Sequence, residues 1–342
     1  MNSIKKNTKG LLLCMAIAVP AYFLGKTFPL IGGPVIGIIA GMIITLFIKD
    51  KTDFSSGLQF VSKKVLQYAV ILLGFGLNLN VVLQTGRQSL PIILGTITTS
   101  LVIAFILSKV MKIDSNTATL VGIGSSICGG SAIAATAPVI DADDDQVATA
   151  LSVIFFFNIL AAIFFPKLGA LLHFDPTSGQ AFGIFAGTAI NDTSSVTAAA
   201  STWDSMYSLG SLTLDKAVTV KLTRTLAIIP ITLVLGAYKA KTRREESGAI
   251  KWTKVFPIFI IYFLLASIIT TVLTANGVAY STFTPFKSLS KFFIVMAMTA
   301  IGLNSNIVSL VKKGGRPLLI GFSCWIGITC VSLLLQSMLG IW

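Results

Sequence analysis

Apolar runs of about twenty residues recur along almost the whole chain, near 11–25, 30–48, 65–83, 91–109, 117–139, 147–166, 180–202, 217–237, 255–274, 288–309 and 317–340. A helix rises about 1.5 Å per residue, so a run of that length crosses the ~30 Å hydrocarbon core of a bilayer. Lipid offers no partner to a backbone N–H or C=O, which leaves the helix as the fold for such runs. The eleven runs predict an all-α polytopic membrane protein, with residues 1–342 as a single transmembrane domain. At 54% hydrophobic and 11% charged, a soluble globule could not hide this apolar surface. The net charge of +13 would suit nucleic acid if it were gathered on a soluble face. Here Lys and Arg fall between the apolar runs, so no nucleic-acid partner is expected.

The basic residues read as topology signals instead. Lys5, Lys6 and Lys9 precede the apolar run from Gly10 to Leu24 as in a signal peptide, but no small-residue cleavage site ends it and a second run follows Lys26 at once. With the N-terminus inside, 19 of the 26 Lys and Arg fall in inside segments and 5 outside. That bias predicts an N-in, C-out protein of the bacterial cytoplasmic (plasma) membrane. The acidic stretch from Asp141 to Asp145 then lies outside, as a solvated turn. Cys14, Cys128, Cys324 and Cys330 sit in apolar segments without metal-ligand spacing, so neither a disulfide framework nor a metal or other cofactor is expected.

The run from Leu120 to Ile140 is apolar enough for a bilayer, yet Gly124-Ser125-Ser126-Ile127-Cys128-Gly129-Gly130-Ser131 sits in its middle. We read it as a helix broken near 117–139; the alternative is a small-residue packing seam. Unwound backbone at that depth belongs where it lines a cavity or is buried in protein, as in secondary transporters. Shifted by 63 residues, the same segment overlays Gly187-Thr188-Ala189-Ile190-Asn191-Asp192-Thr193-Ser194, a second break near 180–202. Two spans apart implies parallel orientation, which leaves convergence or a permuted repeat open. A shift of 226 places Gly76-Leu77-Asn78-Leu79-Asn80 on Gly302-Leu303-Asn304-Ser305-Asn306, Pro91 on Pro317 and Gly95 on Gly321. Seven spans separate these copies, near 65–110 and 291–336, so they run oppositely, as an inverted-topology repeat.

A charge within a membrane costs roughly 2.5–3.5 kcal/mol on insertion scales and is usually paired or functional. Asp192, Lys221 and Arg224 are the three candidates. Asp192 reads as an ion-coupling group, or alternatively as the partner of a buried salt bridge. Lys221 and Arg224, three apart, share a helix face. Two positive charges against one negative leave a surplus that a bound oxyanion would balance, with Arg224 suited to a bidentate hold. The expected substrate site comprises Ser125, Ser126, Cys128, Gly129, Gly130, Ser131, Asn191, Ser194, Lys221 and Arg224. Asn78, Asn80, Asn304 and Asn306 are structural caps first and site residues second. Asn158, beside Phe155, Phe156 and Phe157, reads as a bond to a neighbouring helix.

Val121 to Val139, Lys221-Leu222-Thr223-Arg224 and the Gly-Leu-Asn repeat resemble the YeiH-like (UPF0324) family of bacterial inner-membrane proteins over nearly the whole chain. The resemblance implies export of sulfate-like substrates, and a fold similar in outline to bile-acid symporters and sodium/proton antiporters. Where many members carry Ile-His-Glu-Val-Ala-Gln, this chain has Ile190-Asn191-Asp192-Thr193-Ser194-Ser195, keeping an acid but not the imidazole. The reading is a secondary transporter of a small oxyanion working by alternating access, with a proton or sodium ion as coupling partner; a homo-oligomer is open. The alternative is a cation/proton antiporter with Asp192 as carrier. An intramembrane hydrolase is disfavoured: Ser125 and Ser126 lack a base, since the one histidine, His173, falls in a loop, and Asp192 lacks a second deep acid.

Overall fold

A computed structural model of the chain describes residues 2–28, 31–48, 52–75, 77–228, 230–231, 234–235, 258–304 and 315–342. Its described elements are all helical: α1 (Asn2–Thr27), α2 (Gly33–Phe47), α3 (Thr52–Phe60) running through a π turn into α4 (Leu66–Gly74), α5 (Leu79–Val110), α6 (Ser115–Ser126), α7 (Gly130–Thr136), α8 (Asp144–Leu171), α9 (Gln180–Ala189), α10 (Thr193–Tyr207), α11 (Leu212–Thr225), α12 (Ile258–Ala275), α13 (Thr284–Asn304) and α14 (Pro317–Met338). Among the described residues five segments are long and apolar enough to cross a membrane, and Gly33–Phe47 and Ile261–Ala275 are shorter apolar helices. The protein is a polytopic helical membrane protein.

Two packed groups make up the fold. One holds α1 to α4, α12 and α13; the other holds α5 to α11 and α14. Small residues bring α2 onto α13: a Cβ at Gly302 would lie 2.2 Å from the Ile38 carbonyl oxygen, so only glycine allows that approach. The groups meet mainly where α10 lies against α2 and α13. At one end of that seam Lys287 pairs with Asp215 at 2.7 Å and donates to Ser211 Oγ at 3.2 Å.

The predicted breaks exist, but neither pair of half-helices crosses the bilayer. Trp203 of α10 stacks on Phe182 of α9 with ring centroids 4.3 Å apart. A spanning helix would hold these residues on opposite sides of a bilayer. Both ends of the α9–α10 pair also reach the start of α11: a Cβ at Gly179 would meet Thr213, and the Asp204 carboxylate accepts from the Thr213 and Leu214 amides at 2.9 and 3.0 Å. The pair is a re-entrant hairpin. The α6–α7 pair does the same at the other end. Asp114 caps α6 through the Thr117 amide at 2.8 Å and accepts from Gln146 Nε2 at 2.9 Å, while Asn116 donates to Gln146 Oε1 at 3.2 Å. Gln146 in turn closes a capping box with Asp143 at the start of α8.

Two of the eleven predicted spans, 117–139 and 180–202, are thus hairpins, unlike the broken spanning helices read from the sequence. The acidic stretch is the capping turn that joins the first hairpin to α8, on the same end as Asp114 rather than across the membrane from it. Gly169, near the end of α8, abuts Phe182 and Trp203, so α8 carries the chain from one hairpin's entry side to the other's. A second correction concerns the predicted spans 65–83 and 91–109. The chain leaves the helix after Gly74, and Asn78 caps a 32-residue α5 through the Asn80 amide at 2.8 Å. That cap starts the helix well before Pro91, so the predicted loop between the two spans is helical.

Candidate functional site

The hairpin tips meet beside Asn158, midway along α8. Helix α6 ends at Ser126, Gly129 takes φ +68° and ψ −127°, and α7 starts at Gly130. Helix α9 ends at Ala189, Ile190 and Asp192 are extended, and α10 starts at Thr193. A Cβ on Gly129 would lie 3.3 Å from Asp192 Cβ, 3.4 Å from Ile154 Cγ2 and 3.5 Å from Asn158 Nδ2. A single methyl would fill the space between the two tips, and Asn158 borders it.

Each hairpin exposes the orphan carbonyls of a helix C-terminus to a region without bulk water. Arg224 and Lys221 of α11, both fully buried, satisfy them. Arg224 donates to the carbonyl oxygens of Ser126 (2.6 Å), Ser125 (3.0 Å) and Thr188 (2.6 Å). Lys221 donates to those of Ile127 (2.7 Å) and Ile190 (2.9 Å). The negative ends of α6 and α9 attract cations, and a guanidinium with several donors can bridge both. Most of the donors expected to grip an oxyanion are therefore engaged by backbone. The formal surplus of one positive charge still stands, because each tip also holds a positive helix N-terminus that cancels its C-terminus.

Asp192 serves the other half of its tip. Its Oδ2 accepts from the Ser194 hydroxyl and from the Ser194 amide at 3.2 Å, capping α10. Its own amide donates to Asn158 Oδ1 at 3.2 Å. No ion pair joins Asp192 to Lys221 or Arg224 among the described residues, in place of the salt bridge considered from sequence.

A model of the family described as conserved hypothetical protein 698 matches residues 9–321. A UPF0324 membrane protein of Streptococcus mutans is 59% identical over 337 residues, 97% of each chain. The chain belongs to the UPF0324 family. Further relatives of that name occur in Fusobacterium nucleatum, 56% identical over 347 residues covering 97% of this chain and 98% of the relative, and in Streptococcus pyogenes, 57% identical over 346 residues covering 100% of each.

In this UPF0324 member the tips gather Ser125, Ser126, Cys128, Gly129, Asn191, Asp192, Ser194, Lys221 and Arg224. Ser126 Oγ is occupied by the Ile123 carbonyl at 3.0 Å, while Ser125 Oγ and Asn191 Oδ1 are buried without a hydrogen-bond partner. Gly130 packs on Leu151 and Phe155. Ser131 is exposed and stands apart from the buried cluster. Asn78 and Asn80 lie at the start of α5 and Asn304 at the exposed end of α13, none of them at the tips; Asn306 is outside the described residues. Asn158, read from sequence as a bond to a neighbouring helix, makes that bond with the Asp192 amide, and with it takes a place in the site that the sequence reading did not assign. Its signal was present in the register that relates the two breaks, for the 63-residue shift places Asn158 on Lys221.

Proposed function

We propose that this protein is a secondary transporter that moves a small oxyanion, sulfate-like or a small sulfonate or carboxylate, by alternating access at the hairpin tips. The observation that carries the reading is the meeting of two re-entrant tips at mid-depth, one entering from each end of α8. Re-entrant backbone is tolerated there only where it lines a solute path or is buried in protein, and helix ends at the midplane are how carriers hold ions. The surplus positive charge favours an anion, and Asp192 is the coupling group, for a proton or sodium ion. Export follows the family resemblance alone.

Internal symmetry supports the same reading. The 63-residue shift equates Ser125 with Thr188, Ile127 with Ile190 and Gly129 with Asp192. Arg224 binds the carbonyls of the first pair, Lys221 those of the second, and the third pair touches. Equivalent residues that meet one another lie about a pseudo-two-fold axis, and hairpins entering from opposite ends are inverted copies, not the parallel ones expected for two spanning helices. With N-in topology, Lys167 moves outside and the Lys/Arg split becomes 18 to 6, still positive-inside.

A cation/proton antiporter is the second reading, favoured by the engagement of Lys221 and Arg224 with backbone and by the unpartnered Asn191 Oδ1 beside Asp192. A thermal-shift screen of purified protein against sulfate, sulfite, thiosulfate, sulfonates, small carboxylates, sodium and lithium, across pH, separates the two. Stabilisation by an anion is expected; a response to sodium or pH alone moves the assignment to the antiporter. In proteoliposomes Asp192→Asn, which keeps an oxygen for the α10 cap, is expected to bind the anion yet lose its coupling to a pH or sodium gradient. Unchanged coupled flux removes Asp192 from the mechanism.

A further inference from the structure

Asn158 is 1% exposed at the point on α8 where both tips arrive. Its orientation is fixed: the Asp192 amide needs an acceptor, so Oδ1 faces α10 at 3.2 Å and Nδ2 faces Gly129, 3.5 Å from where a Cβ there would be. That amide nitrogen has no hydrogen-bond partner. A buried amide donor left unmade costs about 1–3 kcal/mol, and native interiors rarely leave one so. Its repeat-equivalent, Lys221, gives two of its three N–H donors to the carbonyls of Ile127 and Ile190. The two positions thus occupy equivalent places on either side of the tips, and Asn158 Nδ2 is the one that makes no hydrogen bond at all. Beside it, Gly129 lacks a side chain, and an atom at its Cβ position would make near van der Waals contact with Asp192, Ile154 and Asn158.

We propose that Asn158 Nδ2 is a substrate contact, donating to one oxygen of the transported oxyanion beside Gly129 when the tips part to admit it. This rests on the oxyanion-transporter reading above and adds its selecting residue. Lys221 and Arg224 supply the positive surroundings while their donors hold the backbone, and Asn158 supplies the direct bond. A donor without charge holds the anion while leaving it free to depart, which a carrier requires.

The test uses the full-length protein and whichever of sulfate, sulfite, thiosulfate, sulfonates or small carboxylates stabilises the wild type most. Asn158→Asp keeps the acceptor for the Asp192 amide and removes the donor; Asn158→Ala removes both without adding charge. Both variants are expected to bind the anion about tenfold more weakly or worse, the loss of one hydrogen bond to a charged partner. Wild-type affinity in Asn158→Asp assigns Asn158 to structure alone, and wild-type affinity in Asn158→Ala shows that any loss in the Asp variant was charge repulsion; either overturns the proposal. Should the variants misfold, hydrogen exchange of the wild type decides. The anion is expected to slow exchange of the Gly129 and Asp192 amides, and an unchanged rate at both overturns the contact. A wild type that responds to no anion sinks the oxyanion reading itself, a result distinct from a responding wild type with responding variants.

Discussion

Arg224 carries more of this fold than its four carbonyl bonds suggest, because those bonds belong to two different hairpins. Arg224→Lys keeps the charge but cannot reach Ser125, Ser126 and Thr188 together. Leaving buried carbonyls unsatisfied at about 1–3 kcal/mol each, the variant is expected to melt well below the wild type in detergent. An unchanged melting temperature would show that the tips hold together without the guanidinium. Gly129 is the other residue with no substitute. Its φ of +68° with ψ −127° lies in a region that L side chains avoid, so Gly129→Ala is expected to cost about 1–3 kcal/mol of stability, read from the same melt. It also places a methyl in the gap beside Asn158, and anion stabilisation should fall with it.

Among the elements, α10 and α11 do two jobs. They form half of the tip region, and their shared turn fastens the hairpin group to α13 through Lys287 and Asp215. This pair is largely shielded, with side-chain exposures of 22% and 10%, so breaking it differs from breaking a surface bridge. Lys287→Ala leaves Asp215 with only the Ser211 hydroxyl at 3.1 Å, at an expected cost of about 3 kcal/mol. The double variant Lys287→Met with Asp215→Asn removes both charges and should recover most of that loss. Equal melting of single and double variants would show that no buried charge had been stranded.

For the whole molecule, the hairpins change which loops share a side of the membrane. In a background without Cys330, the exposed one of the four cysteines, single cysteines at Lys112 and Asp145 should react with a membrane-impermeant maleimide from one side, and cysteines at Pro176 and Gly210 from the other. Labelling of positions 112 and 145 from opposite faces would restore a spanning α6–α7 and remove the hairpin. The sequence by itself determined the class, because runs of twenty apolar residues in lipid have one available fold. It also located both breaks, since Gly129 and its neighbours cannot continue a helix, and singled out Asp192, Lys221 and Arg224 by the cost of burying them. What it could not decide was where the chain goes after each break. A half-helix of about ten residues satisfies its own backbone equally well going onward or back, and hydropathy is the same for both. That choice was made by tertiary contacts far apart in sequence: Phe182 on Trp203, Gln146 on Asp114, and two cations on α11 that turn from a prospective anion to the carbonyls of both tips, because unpaired carbonyls at that depth would have cost more.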